Sequence, residues 1–257
     1  MNEIHPTAIV DSAASIGDNV SIGPYSVVGP NVVLGAGTCL HSHVNIDGNT
    51  ELGEDCTVYP FASIGTKTQD LKFKGGNPGV KIGANTTIRE YVTVNAATYD
   101  GDFTRVGSGC LLMAYAHVAH DCIVDDEVIM ANCATLAGHI HVEEKTIIGG
   151  LTAVHQFVRL GRMSIMGGCS KVIKDVPPYM MADGHPLEVK GLNSVGLKRR
   201  NVAPEHRKIL KEVYRILYRQ DLTTRDAVKK IESEIERIPE VVHILEFIDG
   251  SERGITK

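Results

Sequence analysis

Between positions 117 and 155 the chain places His117, His120, His139 and His155, with Asp121 directly after the second. Imidazole takes up and releases protons near neutral pH and also ligates metals. A histidine beside a carboxylate suits proton removal from an alcohol or amine, with neighbouring histidines positioning the substrate. Three imidazoles brought together would equally suit a catalytic Zn²⁺, which takes three protein ligands and a water. Spacing alone leaves both chemistries open, and the metal content of protein purified without added metal separates them. The six cysteines, Cys39, Cys56, Cys110, Cys122, Cys133 and Cys169, include no C-x-x-C pair and read as reduced thiols.

Either chemistry requires a fold that stacks these histidines, and the sequence supplies one. Every sixth residue from Ile4 to Val172 is apolar except Asp70, Gly76 and Asp100, and glycine often follows it, as in Gly23, Gly35 and Gly149. A period of six fits neither an amphipathic helix nor a long strand. It fits a triangular parallel β-helix in which three hexads close one 18-residue coil, with coils stacked about 4.8 Å apart. The glycines are expected where the turning backbone opposes a Cβ. Cys56, Cys110 and Cys122 share a phase with Ala14, Ser26, Thr38, Thr50 and Ala62, so that position requires a small side chain.

On this scale one coil past His120 is position 138 and two coils past is 156, so His139 and His155 each fall one residue from the mark. Three successive coils are expected to present an imidazole near one corner, with His117 close by. The count is interrupted at 66–80 and 96–105, polar stretches that read as loops thrown out from the solenoid, where binding residues concentrate.

The predicted class is mainly β: a β-helix over 1–178, ended by Pro177-Pro178, followed by a C-terminal helical domain over 179–257. Helical spacing is clearest over 203–220 and 224–238. With 43% apolar residues the chain can bury a core, and a net charge of −5 gives no general field for nucleic acid. No charged-then-apolar leader and no run long enough to span a bilayer is present, so a cytoplasmic protein without stable membrane insertion is expected.

Several motifs carry a more specific resemblance. They are Thr68-Gln69-Asp70-Leu71-Lys72, Ala116-His117-Val118-Ala119-His120-Asp121-Cys122, Leu136-Ala137-Gly138-His139, Ala153-Val154-His155-Gln156-Phe157, Gly167-Gly168-Cys169-Ser170 and Gly196-Leu197-Lys198-Arg199-Arg200. Together with the hexads and Asp175-Val176-Pro177-Pro178-Tyr179, in order along the whole chain, they resemble the UDP-N-acetylglucosamine O-acyltransferases of lipid A biosynthesis.

That resemblance implies a left-handed helix, an exception to the usual crossover hand, in a homotrimer with sites between subunits. It implies transfer of a 3-hydroxyacyl group from the phosphopantetheine of acyl carrier protein to the glucosamine 3-position, without metal or further cofactor. By position, His120 is then the general base, Asp121 orients it, and the Gly138 N–H stabilises the oxyanion. His117, His139, His155 and Gln156 line the sugar and acyl groups. Asp70 and Lys72 reach the nucleotide substrate, Asn193, Arg199 and Arg200 hold its nucleotide end, and Ile165 and Gly168 limit the acyl chain. Acyl carrier protein, being acidic, implies a basic rim.

The sequence departs from the family pattern at Asn95-Ala96-Ala97-Thr98, where relatives commonly have His or Asn followed by Arg-Gly-Thr, and at Val195, where a glutamate is common. The first departure leaves a 3-hydroxyl and a 3-amino acceptor both open. The competing classes are a zinc protein of the γ-carbonic-anhydrase type, which gives the helical tail no role, and a non-catalytic scaffold, which would be indifferent to loss of His120.

Overall fold

The computed structural model describes residues 1–257. Strands of mostly two residues alternate with tight turns, and each strand pairs in parallel with the equivalent strand one coil on. Ser21 thus lies opposite Cys39, and Val27 opposite Asn45. Successive strands join three different sheets, so the chain winds a triangular prism. Its first face runs from Glu3–Ile4 to Ile165–Met166, its second from Ile9–Val10 to Lys171–Val172, and its third from Ser15–Ile16 to Arg159–Leu160. We call the turns from first to second face the first edge, from second to third the second edge, and from third to first the third edge.

The second residue of each strand points inward, which is why it must be apolar. Ile46, Ile64, Ile88, Leu112 and Val118 are fully buried, whereas Ile4 in the first coil is 46% exposed because nothing is stacked beneath it. The small-residue phase is not restricted to small side chains, since Val20, Val44 and Ile140 occupy it fully buried, but where it carries a hydroxyl or thiol that group can bridge coils. Thr38 Oγ1 donates to Gly53 O at 3.0 Å and Thr152 Oγ1 to Gly167 O at 2.9 Å, each bridging to the next coil. Cys56 and Cys122 make the same bridge through Sγ, to Gly83 O at 3.2 Å and Ala137 O at 3.0 Å. All six cysteines are free thiols.

The reason for the repeated glycines differs from the expectation. Gly23 and Gly149 are not left-handed; a Cβ there would lie 2.7 Å from His41 C and 2.6 Å from Gly167 C, so close stacking of coils excludes a side chain. The left-handed residue comes two positions later and usually carries a side chain, as at Tyr25 (φ 60°), His43 (φ 58°) and Tyr115 (φ 63°). Such residues cost on the order of 1–3 kcal/mol each. Along the first edge ring stacking offsets part of this, about 0.5–1.5 kcal/mol per pair, through Tyr25, His43, Phe61, Tyr91 and Tyr115 at centroid spacings of 4.7–5.1 Å.

The region after Pro178 was expected to be helical throughout. Instead a hairpin, Met180–Asp183 with Glu188–Leu192, first extends the first face beyond the prism. Its alternating burial, Met180 and Ala182 inward, is what makes it strand. Helices α1 (Ser194–Arg199), α2 (Pro204–Tyr218), α3 (Thr224–Glu234) and α4 (Pro239–Asp249) follow. Helix α2 buries Leu210, Val213, Ile216 and Leu217 against Ala227 and Ile231 of α3 and Val241 and Ile244 of α4. Helix α3 stops before Ile235, which is extended ahead of Pro239.

The helical region docks on the last coils through buried charges. Glu143 pairs with His243 of α4 at 2.9 Å and accepts from Arg162 N at 2.8 Å. Asp175, 1% exposed, accepts from Arg159 N and Ser251 Oγ. No helix is long and apolar enough to cross a membrane.

Candidate active site

Both interruptions of the hexads leave the prism at the second edge. One lies between Ser63–Thr66 and Gly79–Ile82, the other between Thr93–Asn95 and Phe103–Val106. One coil further on, the same edge carries the turn containing His120 and Asp121.

His120 Nδ1 lies 2.7 Å from Asp121 Oδ2, and the two side chains are 14% and 12% exposed. A carboxylate can only accept, so Nδ1 carries the proton and Nε2 keeps a free lone pair. Thr98 of the second loop completes the pair: its N–H donates to Asp121 Oδ1 at 3.0 Å, and its Oγ1 lies 3.1 Å from His120 Nδ1. Residue types gave Thr98 no signal beyond its place in the second loop. Burial alone would raise the Asp121 carboxyl, but the hydrogen bonds from His120 and Thr98, with His139 adding, hold it below the usual carboxylate range.

Gly138 packs against His120 from the next coil, its N–H making no hydrogen bond within the chain. His139, left-handed at φ 60°, meets His120 edge-on at 5.2 Å, with Nε2 3.6 Å from Asp121 Oδ2. The expected third imidazole is displaced. The ring stacked on His139 is Phe157, at 4.7 Å and nearly parallel, because Asp121, His139 and Phe157 share the left-handed turn position. His155 stands two residues earlier in its turn, in register with Ala137, exposed, with Nδ1 3.1 Å from Gln156 O. Gln156 is exposed beside it.

His117, on the second face, pairs Nδ1 with Thr93 Oγ1 at 2.7 Å; burial pushes its imidazole down from the ordinary value, and His120 pushes the same way. Asp70 comes closer to the chemistry than its place in the sequence suggests. Its carboxylate and the ring nitrogens of His120 and His139 offer atoms all within 4.8 Å of one another. Asp70 also shapes its own loop, accepting from Lys72 N at 2.9 Å. Lys72 borders a cavity of about 430 Å³ with Lys74, Thr98 and Tyr99.

The remaining expected residues lie on other parts of the prism. Ile165 is on the first face and Gly168 on the first edge, where it stacks over Gly150. Asn193 caps α1 by accepting from Gly196 N at 3.0 Å and reaches the third edge by donating to Met163 O at 2.8 Å. Both its polar ends are engaged. Arg199 is exposed at the end of α1, and Arg200 pairs with Glu127, also on the third edge. Val195 is exposed.

A prism of six-residue turns with a half-buried imidazole–carboxylate pair on one edge is a hexapeptide-repeat architecture, and the bacterial transferase hexapeptide model matches residues 13–48 and 103–138. The model for domain 2 of UDP N-acetylglucosamine O-acyltransferase matches 175–256. The acyl-[acyl-carrier-protein]--UDP-N-acetylglucosamine O-acyltransferase of Thermodesulfovibrio yellowstonii is 52% identical, with all of both chains covered. Among solved structures, the UDP-N-acetylglucosamine acyltransferase of Bacteroides fragilis is 38% identical with a TM-score of 0.96, covering 98% of this chain and 99% of that one. The UDP-N-acetylglucosamine O-acyltransferase of Moraxella catarrhalis is 41% identical with a TM-score of 0.94, covering 99% of each. The chain belongs to the acyl-[acyl-carrier-protein]--UDP-N-acetylglucosamine O-acyltransferase family.

Proposed function

We propose that this chain transfers a 3-hydroxyacyl group from acyl carrier protein to the glucosamine 3-position of UDP-N-acetylglucosamine, at the start of lipid A biosynthesis, with His120 as general base. The observation that carries this reading is the His120–Asp121 pair, its proton fixed on Nδ1 and its Nε2 free beside Gly138. Nε2 takes the proton of the 3-substituent as that atom attacks the thioester carbonyl. The Gly138 N–H meets the oxyanion that forms. Collapse of the tetrahedral adduct expels the phosphopantetheine thiolate, which recovers the proton from His120. Donor and acceptor balance without a cofactor, and the cytoplasm is where both substrates meet.

Asp70, placed beside His120 and His139, is assigned to the sugar near the reacting atoms, and Lys72 to the nucleotide substrate. His139, His155 and Gln156 on the second edge, with His117 on the adjoining second face, line the sugar and acyl groups. Arg199 takes the nucleotide phosphates, joined by Arg200 if phosphate displaces Glu127. Asn193 acts by fixing the start of α1, from which both arginines extend.

The proposed base lies on the second edge, Gly168 of the proposed ruler on the first and Arg200 by the third, so a single prism presents them in three directions. A homotrimer with its sites in the clefts between neighbouring prisms, as the family resemblance implies, fits these assignments. The exposed rings of the first edge, Tyr25, Phe61, Tyr91 and Tyr115, offer apolar area to such contacts.

The test is acyl transfer from carrier protein bearing 3-hydroxyacyl chains of several lengths, with UDP-N-acetylglucosamine and its 3-amino analogue as acceptors. The expected result is a stable ester or amide on the 3-position and loss of transfer in His120→Ala with the fold intact. Transfer that persists without His120 would overturn the reading.

A further inference from the structure

Asp70, His120 and His139 come from three separate segments, a loop and two successive coils, yet their ligand atoms gather within 4.8 Å. Two imidazoles and a carboxylate are a donor set that Zn²⁺ accepts, with water completing the shell. Ligands on tetrahedral zinc stand roughly 3.3 Å apart at bond lengths of about 2.0–2.1 Å, so the trio must contract. Asp70 is carried on a loop and is only half-buried, so its carboxylate has room to close that distance.

A second observation points the same way. Metal-bound histidines are generally held through their other nitrogen by a carboxylate, a backbone carbonyl or water, which fixes the tautomer and raises basicity. Asp121 does this to His120, leaving Nε2 as the donor. Phe157 stacks on His139 and limits its swing. The atoms that make His120 a base therefore also make it a ligand.

We infer that Asp70, His120 and His139 form an exchangeable Zn²⁺ site whose occupation inhibits the enzyme by tying up the Nε2 lone pair that the acceptor proton needs. The inference rests on the general-base reading above, because inhibition follows only if that lone pair does the chemistry. Zinc here is a reversible inhibitor; the acyl transfer does not need it.

The experiment uses chelator-treated full-length protein titrated with Co²⁺, whose visible absorption reports on coordination independently of activity. One saturable site per chain is expected, with affinity falling in Asp70→Asn and in His139→Gln by at least the roughly tenfold that loss of an outer-shell partner alone costs. In the acyl-transfer assay micromolar Zn²⁺ should inhibit the wild type, and EDTA should restore it. No saturable Co²⁺ spectrum, or wild-type affinity in either variant, would overturn the metal site. If His120→Ala also abolishes metal-free transfer, the general-base reading survives that failure. Conversely, if Co²⁺ binding requires the trio while transfer survives His120→Ala, the metal site stands and the general base falls, taking the inhibitory role with it.

Discussion

A methyl group on the Cα of Gly138 would stand 2.6 Å from Nε2 of His120 and 3.0 Å from Nδ1. The two residues are in successive coils and in register, so neither can move along the edge without disturbing its strand. Gly138→Ala should therefore push the ring off Asp121 while leaving the prism wound. A misplacement near 1 Å can cost about 10²-fold in rate; kcat should fall by that order with an unchanged circular dichroism spectrum. Wild-type kcat in this variant would show that the ring position is not critical.

Asp121→Asn is expected to be more damaging than the loss of one charge suggests. The Thr98 N–H must be met by an acceptor, so the amide oxygen takes the Oδ1 place and turns its NH₂ toward His120 Nδ1. The imidazole would then carry its proton on Nε2, where it cannot act as a base. A loss of about 10²–10⁴ in kcat follows, measurable at several pH values, with Tm as the control for folding.

Cys122 links the core to the site, since its thiol donates to Ala137 O, the carbonyl just before Gly138. Burial pushes this thiol up to about 12, so it stays protonated and can donate throughout the working range. Cys122→Ser keeps a donor and should be tolerated, whereas Cys122→Val strands the carbonyl at a cost of about 1–3 kcal/mol. Urea unfolding of the two variants distinguishes a donor requirement from a size requirement.

Glu143 predicts how docking of the helical region depends on pH. Burial would raise this carboxyl, but the hydrogen bonds from His243 and from Arg162 N outweigh it, so its folded value is lowered. A lowered carboxyl contributes stability that is full above its unfolded value, about 4.3, and is lost as pH falls through the folded value. Glu143→Gln should destabilise at pH 7 by about 1.5–3 kcal/mol, the scale of a hydrogen bond to a charged group, and the difference should narrow as pH drops below that range. Thermal unfolding of both proteins across that pH range is the check.

At Gly168 a Cβ would stand 3.2 Å from Gly150 O, a tight but adjustable contact. Gly168→Met is therefore expected to fold, and to project into the acyl groove if Gly168 belongs to the proposed chain ruler. The variant should favour shorter donors than the wild type in a competition assay with mixed carrier-bound chains. An unchanged preference would remove Gly168 from the ruler.

The prism was legible because one requirement, an inward apolar side chain, recurs at a fixed interval that no other fold shares. Which residue of each turn stacks on the next was not legible, since that depends on the sign of φ at a single position. Spacing therefore put His155 in the column where Phe157 stands. Asp70 lay beyond spacing for a different reason: an insertion breaks the count, and its return to the edge is set by loop contacts such as the one to Lys72 N. The hairpin after Pro178 was readable in principle from the alternation in Met180–Asp183, which the two prolines and the following helices obscured.

The prism's two ends are unlike. The inward-facing Ile4 lies open at the first coil, while the last coils are covered by the hairpin, α4 and the buried Glu143 and Asp175 contacts. In a stacked array each coil leans only on its neighbours, so opening starts where a neighbour is missing. Fraying should run inward from the N-terminal coils, with hydrogen exchange fastest there. The turns bearing His120 and His139 belong to the slow-exchanging half, so the protein can lose its outermost coils transiently while its chemistry stays assembled.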